Sequence, residues 1–289
     1  MMKYFFFIFL ILLKRTKKDQ FALLFQNKMI GLFLGDTDFS EIVLNKIKRL
    51  KKKYFIIDFS KNNKFKKNKY SNRISIGKFG KILNLIKEKN SKKVLFAGKI
   101  AKPKFSSLRL DFKGIYYMPS VIKAAKKGDA AIIKSIINIL NNEDIKVISS
   151  IYFNPELSLK SGIYTKLKPN NKDLVAINKG IKYFNKLNDL DHVQALIVKD
   201  SKVIAKEGKL GTRKMLARLK KKTQGVLIKF PKKKQDLRMD LPTIGLQTIK
   251  DCKKYGLAGI ILKSKKNIIL DKAKCIHFAN KNRIFIKVI

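Results

Sequence analysis

The chain has 289 residues, of which 45% are hydrophobic, enough for two domains of ordinary size with buried cores. The chain has 67 Lys and Arg residues and 20 Asp and Glu residues, which give a formal net charge of +47. The basic residues are spread over the whole chain, and no RRM, KH, zinc-finger or helix-turn-helix signature accompanies them. This pattern argues against a specific nucleic-acid partner. Two isolated cysteines and two histidines exclude a disulfide framework and a zinc cluster, while the excess charge leaves adhesion to acidic lipid headgroups open.

Residues 1–28 differ from the rest of the chain. Residues 4–13 form an apolar run, flanked by Lys3 on one side and by Lys14 and Arg15 on the other. The run is too short to span a bilayer, and no small-residue cleavage site follows it. Two interpretations stay open: an interfacial anchor, or an over-extended start before Met29. We favour the second, because a complete domain pattern begins at Met29.

From residue 29 to residue 149, predicted strands and helices alternate. Apolar runs predict strands at 30–34, 54–58, 94–97 and 146–149. Amphipathic spacing predicts helices at 38–50, at 80–89 and from 129 onward. Asp38 followed by Glu41 predicts a capping box at the first helix, and Ile82, Leu85 and Ile86 are expected to face the core from the second. The alternation predicts an α/β fold with a Rossmann-like, doubly wound parallel sheet in the N-terminal domain.

The ends of these strands are the expected ligand site, because open parallel sheets bind ligands beyond the carboxyl ends of their strands. The first strand is not followed by the glycine-rich sequence that a dinucleotide needs, so Asp58, at the position of a ribose-binding acid, carries little weight. A nicotinamide oxidoreductase is therefore disfavoured. Gly98 and Lys99, after the third strand, predict either an anion contact or a plain turn, at the start of a loop that runs past Pro103.

Residues 151–170 are rich in loop-forming residues and predict a domain boundary. We expect an N-terminal extension at 1–28, an N-terminal domain at 29–155 and a C-terminal catalytic domain at 156–289. Alternating elements predict that the last is a second α/β domain, with helices at 173–187, 211–221, 245–256 and 271–280 and strands at 195–199, 202–207, 226–230, 257–262, 267–270 and 284–288. Glu207 is interpreted as a charge at the end of a hairpin.

Residues 235–241 alternate polar and apolar side chains. If this segment is extended, Asp236, Arg238 and Asp240 share one face of it. Such a face suits a Mg²⁺-bound diphosphate, because carboxylates hold the metal while guanidinium and ammonium groups meet phosphate oxygens. The alternative, which spacing alone favours, is a ladder of salt bridges on a solvated strand.

The segments 235–245, 256–260 and 268–271 resemble the C-terminal domain of LpxI-type UDP-2,3-diacylglucosamine pyrophosphatases. The similarity covers residues 29–289, which supports Met29 as the natural start. It continues upstream through short motifs: Asp191 with Gln194, Gly211-Thr212, Gly128-Asp129, Ala97-Gly98-Lys99 and Ile30-Gly31.

The resemblance implies Mg²⁺-dependent hydrolysis of the diphosphate of UDP-2,3-diacylglucosamine, giving 2,3-diacylglucosamine 1-phosphate and UMP in lipid A biosynthesis. It implies a lipid-nucleotide substrate and a cytoplasmic protein, peripheral at the inner face of the cytoplasmic membrane; a homodimer is left open. It assigns catalysis and the metal to Asp240, with Asp236 as the second candidate for both. The residues expected to bind the substrate are Arg238, Lys229, Gln235, Gln194, Lys99, Gly98 and Thr212.

The chain departs from the family's pattern at three places. Leu210 and Arg213 stand where the family usually carries acidic residues around Gly-Thr. The family's Asp-x-Gly-Gln motif appears here as Asp191-His-Val-Gln194, with valine in place of the glycine. Residues 35–40 replace an N-terminal Gly-Asn-Gly-x-x-Pro sequence, which weakens the inference of a uridine site there. The alternative function is therefore a non-catalytic anion- or membrane-surface-binding protein with the same fold.

Overall fold

The computed structural model describes residues 29–101, 103–187, 193–208, 210–220, 222–232 and 235–289. These residues fall into two compact units, the first made of residues 29–118 and 139–147 and the second of residues 119–138 and 148–289. The apolar run predicted near the N-terminus lies outside the described residues. The domain boundary expected after residue 155 stays a prediction.

The first unit is built on a sheet of five strands. In chain order the strands are β1 (Ile30–Leu34), β2 (Tyr54–Asp58), β3 (Ser71–Asn72), β4 (Lys93–Ala97) and β5 (Lys146–Ile148). Their order in the sheet is β3-β2-β1-β4-β5, with β1 parallel to β2 and β4, and β2 parallel to β3. This is the strand order of Rossmann folds, so the Rossmann-like parallel sheet predicted for the N-terminal part is confirmed.

Two helices follow the first strands and bury one face each. Helix α1 (Asp38–Arg49) buries its apolar face against the unit's core, and helix α2 (Phe79–Glu88) does the same. In α2 the structure buries Leu83 beside the expected isoleucines, whereas Leu85 is only partly buried. The predicted inward set was wrong at that position, because the buried stripe of a helix includes residues one, three and four positions apart.

The start of α1 does not carry the predicted capping box. Thr37 is the N-cap residue, and its side chain makes no capping hydrogen bond. Asp38 and Glu41 both lie in the first turn, with carboxylate oxygens 3.9 and 3.0 Å from Nζ of Lys64. Acidic residues in this turn complement the partial positive charge of the helix start, which explains their presence without a cap.

A 3₁₀ turn and one helix replace much of the loop expected after Gly98. A short 3₁₀ turn (Phe105–Ser107) is followed by helix α3 (Phe112–Lys127), and helix α4 (Asp129–Asn142) begins where it was predicted. The prediction was wrong for α3 because the helix contains Pro119, which removes a backbone donor, and leaves much of its apolar surface exposed. Among the described residues, no helix has both the length and the apolarity needed to cross a membrane.

The second unit is a mixed α/β structure. After 3₁₀ turns at Ser150–Tyr152 and Pro155–Leu157, its elements are β6 (Gly162–Ile163), α5 (Asn171–Lys186), β7 (Ala195–Lys199), β8 (Lys202–Lys206), α6 (Gly211–Ala217), β9 (Val226–Lys229), β10 (Thr243–Ile244), α7 (Leu246–Lys254), β11 (Gly259–Leu262), β12 (Ile268–Ile269), α8 (Lys272–Lys281) and β13 (Phe285–Val288). The α6 helix is shorter than the 211–221 predicted, and the hairpin of β7 and β8 turns at Asp200 and Ser201, both with positive φ.

Six of these strands form one sheet in the order β6-β13-β11-β9-β7-β8. Strands β9, β11 and β13 are parallel, while β7 is antiparallel to β8 and β9, and β6 is antiparallel to β13. Strands β10 and β12 form a small parallel sheet of their own.

Both faces of the six-stranded sheet are covered, because successive side chains of a strand point to opposite faces. Leu227 of β9 packs in a core with Ile249 of α7 and Cys275 of α8, and the next residue, Ile228, packs with Ala176 of α5 on the other side. A layer of helices on each side of a mixed sheet with a parallel centre, β9-β11-β13, confirms the second α/β fold.

Candidate functional site

Residues 235–241 form a turn and not the predicted strand. The N–H groups of Asp240 and Met239 donate to the carbonyl oxygen of Asp236, at 3.0 and 3.3 Å. The Asp236 carboxylate also accepts the backbone N–H of Arg238, at 3.0 Å. This local bond between a side chain and the backbone competes with strand pairing, and it explains why an alternating sequence folds as a turn here.

The Asp236 carboxylate is held by Arg238. Nε of the guanidinium lies 2.9 Å from Oδ1 and Nη2 lies 2.6 Å from Oδ2, a two-pronged ion pair in which the Asp236 side chain is 23% exposed. The hydrogen bonds from Arg238 lower the pKa of Asp236, so this carboxylate is ionised over the physiological range. The Arg238 guanidinium therefore binds one carboxylate within its own turn. The extended segment had predicted a different arrangement, with the guanidinium between two carboxylates on one strand face.

Asp240 lies in the opposite electrostatic environment. Burial raises the pKa of its carboxyl group, and the nearby negative charge of Asp129, the first residue of α4, raises it further. The positive charges of Lys232 and Lys229 act in the other direction, as does the amide of Gln235, whose Nε2 also donates to the Asp240 carbonyl oxygen at 3.0 Å. Asp240 is thus a partly buried acid with two ammonium groups and one carboxylate near it.

Lys229 ends the central strand β9 and is 9% exposed. Its Nζ donates to Oγ1 of Thr212 at 2.9 Å, and this hydroxyl donates to Oε1 of Glu207 at 2.7 Å. Burial lowers the pKa of the Lys229 ammonium, while the charges of Glu207 and Asp240 raise it. The strand end and the start of α6 thereby share one chain of hydrogen bonds.

Two glutamines extend these contacts toward the turn. Nε2 of Gln194 donates to Oε1 of Gln235 at 2.8 Å, and the same oxygen accepts the N–H of Lys232 at 2.8 Å. The N–H of Gln194 donates to Oε2 of Glu207 at 3.0 Å. The structure therefore brings five of the predicted residues into one connected site in the second unit: Lys229, Thr212, Gln194, Gln235 and Asp240.

Sequence reasoning missed Glu207, which it interpreted as a hairpin-end charge. One signal could have identified it: between Asp200 and Asp236 it is the single acidic residue, in a segment dense with Lys and Arg. Asp129 was missed as a neighbour of Asp240 as well, because no local pattern relates residues so far apart in the chain. The predicted motif residues Asp191 and His192 lie outside the described residues.

Gly98 and Lys99 lie in the first unit, after β4. Gly98 has φ +82°, and a Cβ there would overlap Oγ of Ser40, which lies 2.9 and 2.8 Å from the carbonyl oxygens of Gly35 and Ala97. The glycine is therefore required for close packing of the loops after β1 and β4. Lys99 is exposed, so both interpretations of this pair, anion contact and plain turn, stay open.

Asp58, at the end of β2, is not available to a ribose. Its side chain is fully buried, and Oδ1 accepts the N–H and hydroxyl of Ser60 at 2.8 and 2.6 Å. Oδ2 accepts the N–H of Phe65 at 3.1 Å, and Nη1 of Arg73 lies 3.5 Å from Oδ1. The carboxylate holds its own loop together, and the ribose interpretation does not hold.

Within the described residues, no three or more His, Cys, Asp or Glu side chains are grouped so that they could hold a metal ion. The chemistry of the Asp240 carboxylate nevertheless fits a divalent cation, because burial disfavours its charge and a bound cation would offset that effect. Asp236 fits less well, since Arg238 occupies both of its oxygens. A Mg²⁺ ion here would depend on Asp240, with the remaining oxygens from water and from a ligand's phosphates.

Comparisons with known proteins place both halves of the chain in one group. A profile described as the LpxI N-terminal domain matches residues 29–157, and one described as the LpxI C-terminal domain matches residues 160–287. The chain is also 31% identical, over 223 residues, to "UDP-2,3-diacylglucosamine pyrophosphatase LpxI" of Caulobacter vibrioides. That alignment covers 74% of this chain and 80% of the relative.

Proposed function

The chain belongs to the LpxI family, and we propose that it is a UDP-2,3-diacylglucosamine pyrophosphatase of lipid A synthesis, the activity that its Caulobacter relative's name states. The observation that carries this proposal is the partly buried Asp240 with Lys229 and Lys232 as charged neighbours. An acid that favours a cation, beside two ammonium groups that favour an anion, suits a metal-bound diphosphate.

The proposed reaction hydrolyses the diphosphate to 2,3-diacylglucosamine 1-phosphate and UMP. A water oxygen forms a bond to one phosphorus, and the bond from that phosphorus to the bridging oxygen breaks. The bridging oxygen leaves with the other phosphoryl group, and the attacking water loses a proton. Such a displacement requires positioned charge and an oriented water more than a covalent nucleophile.

The residues of the second unit divide these tasks. Lys229 and Lys232 would meet the phosphate oxygens, and Gln194 would orient the attacking water or a substrate hydroxyl. Asp240 has two carboxylate oxygens, so one can bind a cation while the other accepts the proton from water.

Mg²⁺ is part of the proposal. When bound, it would polarise phosphoryl oxygens and lower the pKa of a coordinated water. Asp240 is the residue that would hold it. Asp236 remains the second candidate and would first have to break its hydrogen bonds to the Arg238 guanidinium. In that case Arg238 would become free to bind phosphate, the role that the sequence assigned to it.

The membrane part of the proposal is supported by α3. Phe112, Tyr116 and Ile115 are 93%, 74% and 60% exposed, and because Ile115 and Tyr116 follow Phe112 by three and four residues, all three lie on one side of the helix, which we call the α3 face. Exposed Lys123, Lys126 and Lys127 follow near its end. Aromatic and aliphatic side chains with nearby lysines are typical of helices that lie at an anionic bilayer surface.

This location agrees with a lipid-linked substrate, which resides at a membrane surface. We therefore propose a cytoplasmic protein, peripheral at the inner face of the cytoplasmic membrane, with no specific nucleic-acid partner. The homodimer that the sequence left open stays a prediction, and sedimentation equilibrium of the purified chain would test it.

The test of the reaction is release of UMP from UDP-2,3-diacylglucosamine by the purified protein with Mg²⁺. We expect Asp240→Ala to lower kcat/KM by at least about 100-fold, because it removes both a cation ligand and a base. We expect a chelator to abolish UMP release and added Mg²⁺ to restore it. Asp38→Ala is the matched control, since that side chain is 90% exposed and lies in the first unit.

Wild-type rates in folded Asp240→Ala protein would contradict the assigned mechanism. The alternative, a non-catalytic anion- or membrane-surface-binding protein, predicts vesicle binding without UMP release by the wild-type chain. The same preparation assayed for both properties separates the two functions.

A further inference from the structure

Glu207 and Lys229 stand out in the second unit. Among its described residues, they are the only charged side chains that are more than nine-tenths buried, with exposed fractions of 8% and 9%. Buried charges are rare unless they are paired, and here the pairing is indirect. The hydroxyl of Thr212 stands between the carboxylate and the ammonium.

Each oxygen of the Glu207 carboxylate has a partner on a different element. Oε1 accepts the hydroxyl of Thr212, in the first turn of α6, and Oε2 accepts the N–H of Gln194, just before β7. The backbone N–H of Glu207 donates to the carbonyl oxygen of Ala195 at 2.9 Å. The carboxylate is therefore fixed in place from both sides.

The direction of these hydrogen bonds determines what Lys229 can do. A hydroxyl has one proton, and a carboxylate can only accept, so the Thr212 proton points at Glu207. The oxygen of Thr212 must then accept from Lys229, which uses one of its three N–H donors there. Two donors of the ammonium remain, and the proposed function assigns them to phosphate oxygens.

Glu207 also counters the effect of burial on Lys229. Burial lowers the pKa of this ammonium, and three titratable groups face it: Glu207, Asp240 and the thiol of Cys252 in α7. Burial raises the pKa of the thiol far above neutral, so it carries no charge. In the proposed function Asp240 binds the cation, which leaves Glu207 as the resident counter-charge of Lys229.

We propose that Glu207 is a positioning residue for the hydrolysis, which acts through the Thr212 hydroxyl to hold Lys229 as a charged, oriented phosphate ligand. The inference rests on the proposed function, because it presupposes that Lys229 binds the diphosphate. A purely structural tie between β8 and α6 is the competing explanation. The two explanations predict different pH profiles of kcat/KM. A structural connection between β8 and α6 would affect the stability of the protein alone, whereas a positioning role would also change the pH at which activity is lost.

The decisive variant is Glu207→Gln, which keeps the shape of the side chain and removes its charge. Loss of the anion lowers the pKa of Lys229, so the ammonium is lost at lower pH. We expect the basic limb of the kcat/KM profile for UMP release to move toward acid by about one pH unit, with a higher KM. Glu88→Gln, at an exposed acid of the first unit, is the matched control and should leave the profile unchanged.

Thr212→Val provides a second variant of nearly the same volume, and it covers the case in which Glu207→Gln does not fold. It removes the hydroxyl that connects Glu207 to Lys229, and we expect the basic limb of the kcat/KM profile to move toward acid again. Thr212→Ser keeps a hydroxyl at this position and should have a profile close to that of the wild type. A folded Glu207→Gln or Thr212→Val protein with the wild-type basic limb would overturn the inference alone. A wild-type chain that releases no UMP would overturn both the inference and the proposed function.

Discussion

Asp236 and Asp240 carry the same side chain four residues apart, but their surroundings shift their pKa values in opposite directions. Arg238 lowers the pKa of Asp236 by direct hydrogen bonds, whereas burial raises the pKa of Asp240. Asp236 is paired with a guanidinium, whereas the main neighbours of the Asp240 carboxyl group are the Gln235 amide and the ammonium groups of Lys232 and Lys229. This difference separates a structural carboxylate from one suited to bind a cation or accept a proton.

The raised pKa of Asp240 predicts that Asp240→Asn makes the protein more stable while it loses activity. In the folded chain the group binds protons at higher pH than in the unfolded chain, so its contribution to stability falls as pH rises through the two pKa values. At neutral pH the ionised form therefore destabilises the fold. We expect the uncharged variant to gain about 1 kcal/mol, or ~2–4 °C in Tm.

Thermal unfolding at pH 7 measures this effect, and Asp236→Asn is its control. Because Asp236 has a lowered pKa, its ionised form stabilises the fold at neutral pH, and the substitution should lower Tm. If Asp240→Asn lowered Tm as well, the assigned burial of the Asp240 charge would be wrong.

At the scale of single elements, two segments departed from their sequence patterns for opposite reasons. Residues 235–241 alternate like a strand, but the Asp236 carboxylate binds its own backbone neighbour, and the segment folds as a turn. Helix α3 was not predicted because Pro119 lies inside it, and proline normally ends or interrupts a helix. Patterns predict an element only when local hydrogen bonding and burial agree with them.

The exposed α3 face predicts membrane binding that depends on its aromatic side chains. We expect the double substitution Phe112→Ser and Tyr116→Ser to weaken binding to vesicles of phosphatidylethanolamine and phosphatidylglycerol by about tenfold or more, because each ring contributes apolar area to the interface. Co-sedimentation with vesicles measures the effect.

Val175→Ser is the control for this experiment, since it removes an exposed apolar side chain, 57% exposed, from helix α5. Wild-type binding should also decrease in vesicles of phosphatidylcholine alone, where the lysines find no anionic headgroups. Equal binding by the control and the double variant would remove the α3 face from the membrane proposal.

At the scale of the whole molecule, the chain combines a Rossmann-like unit with a second α/β unit, and each has its own core. The LpxI profiles match from residue 29 onward, and the first strand begins at Ile30. We therefore expect a chain that starts at Met29 to have the same Tm and the same rate of UMP release as the full chain, with or without detergent. Loss of vesicle binding on truncation would instead support the interfacial-anchor interpretation of residues 1–28.

The sequence by itself determined both α/β folds, most strand positions and the family, because apolar periodicity and short motifs depend on neighbours along the chain. It also selected Lys229, Thr212, Gln194, Gln235 and Asp240, which the structure connects in one site. They stand near the ends of strands or in the first turn of a helix, where short motifs place ligand-binding side chains.

Only the tertiary structure decided how the charges of the site are distributed. It joined Asp236 to Arg238, enclosed Asp58 in its own loop and buried Glu207 against Thr212. Burial, hydrogen-bond direction and the sign of a pKa shift all depend on which distant residues surround a group. No local pattern contains that information, because residues such as Asp129 and Asp240 become neighbours only when the chain has folded.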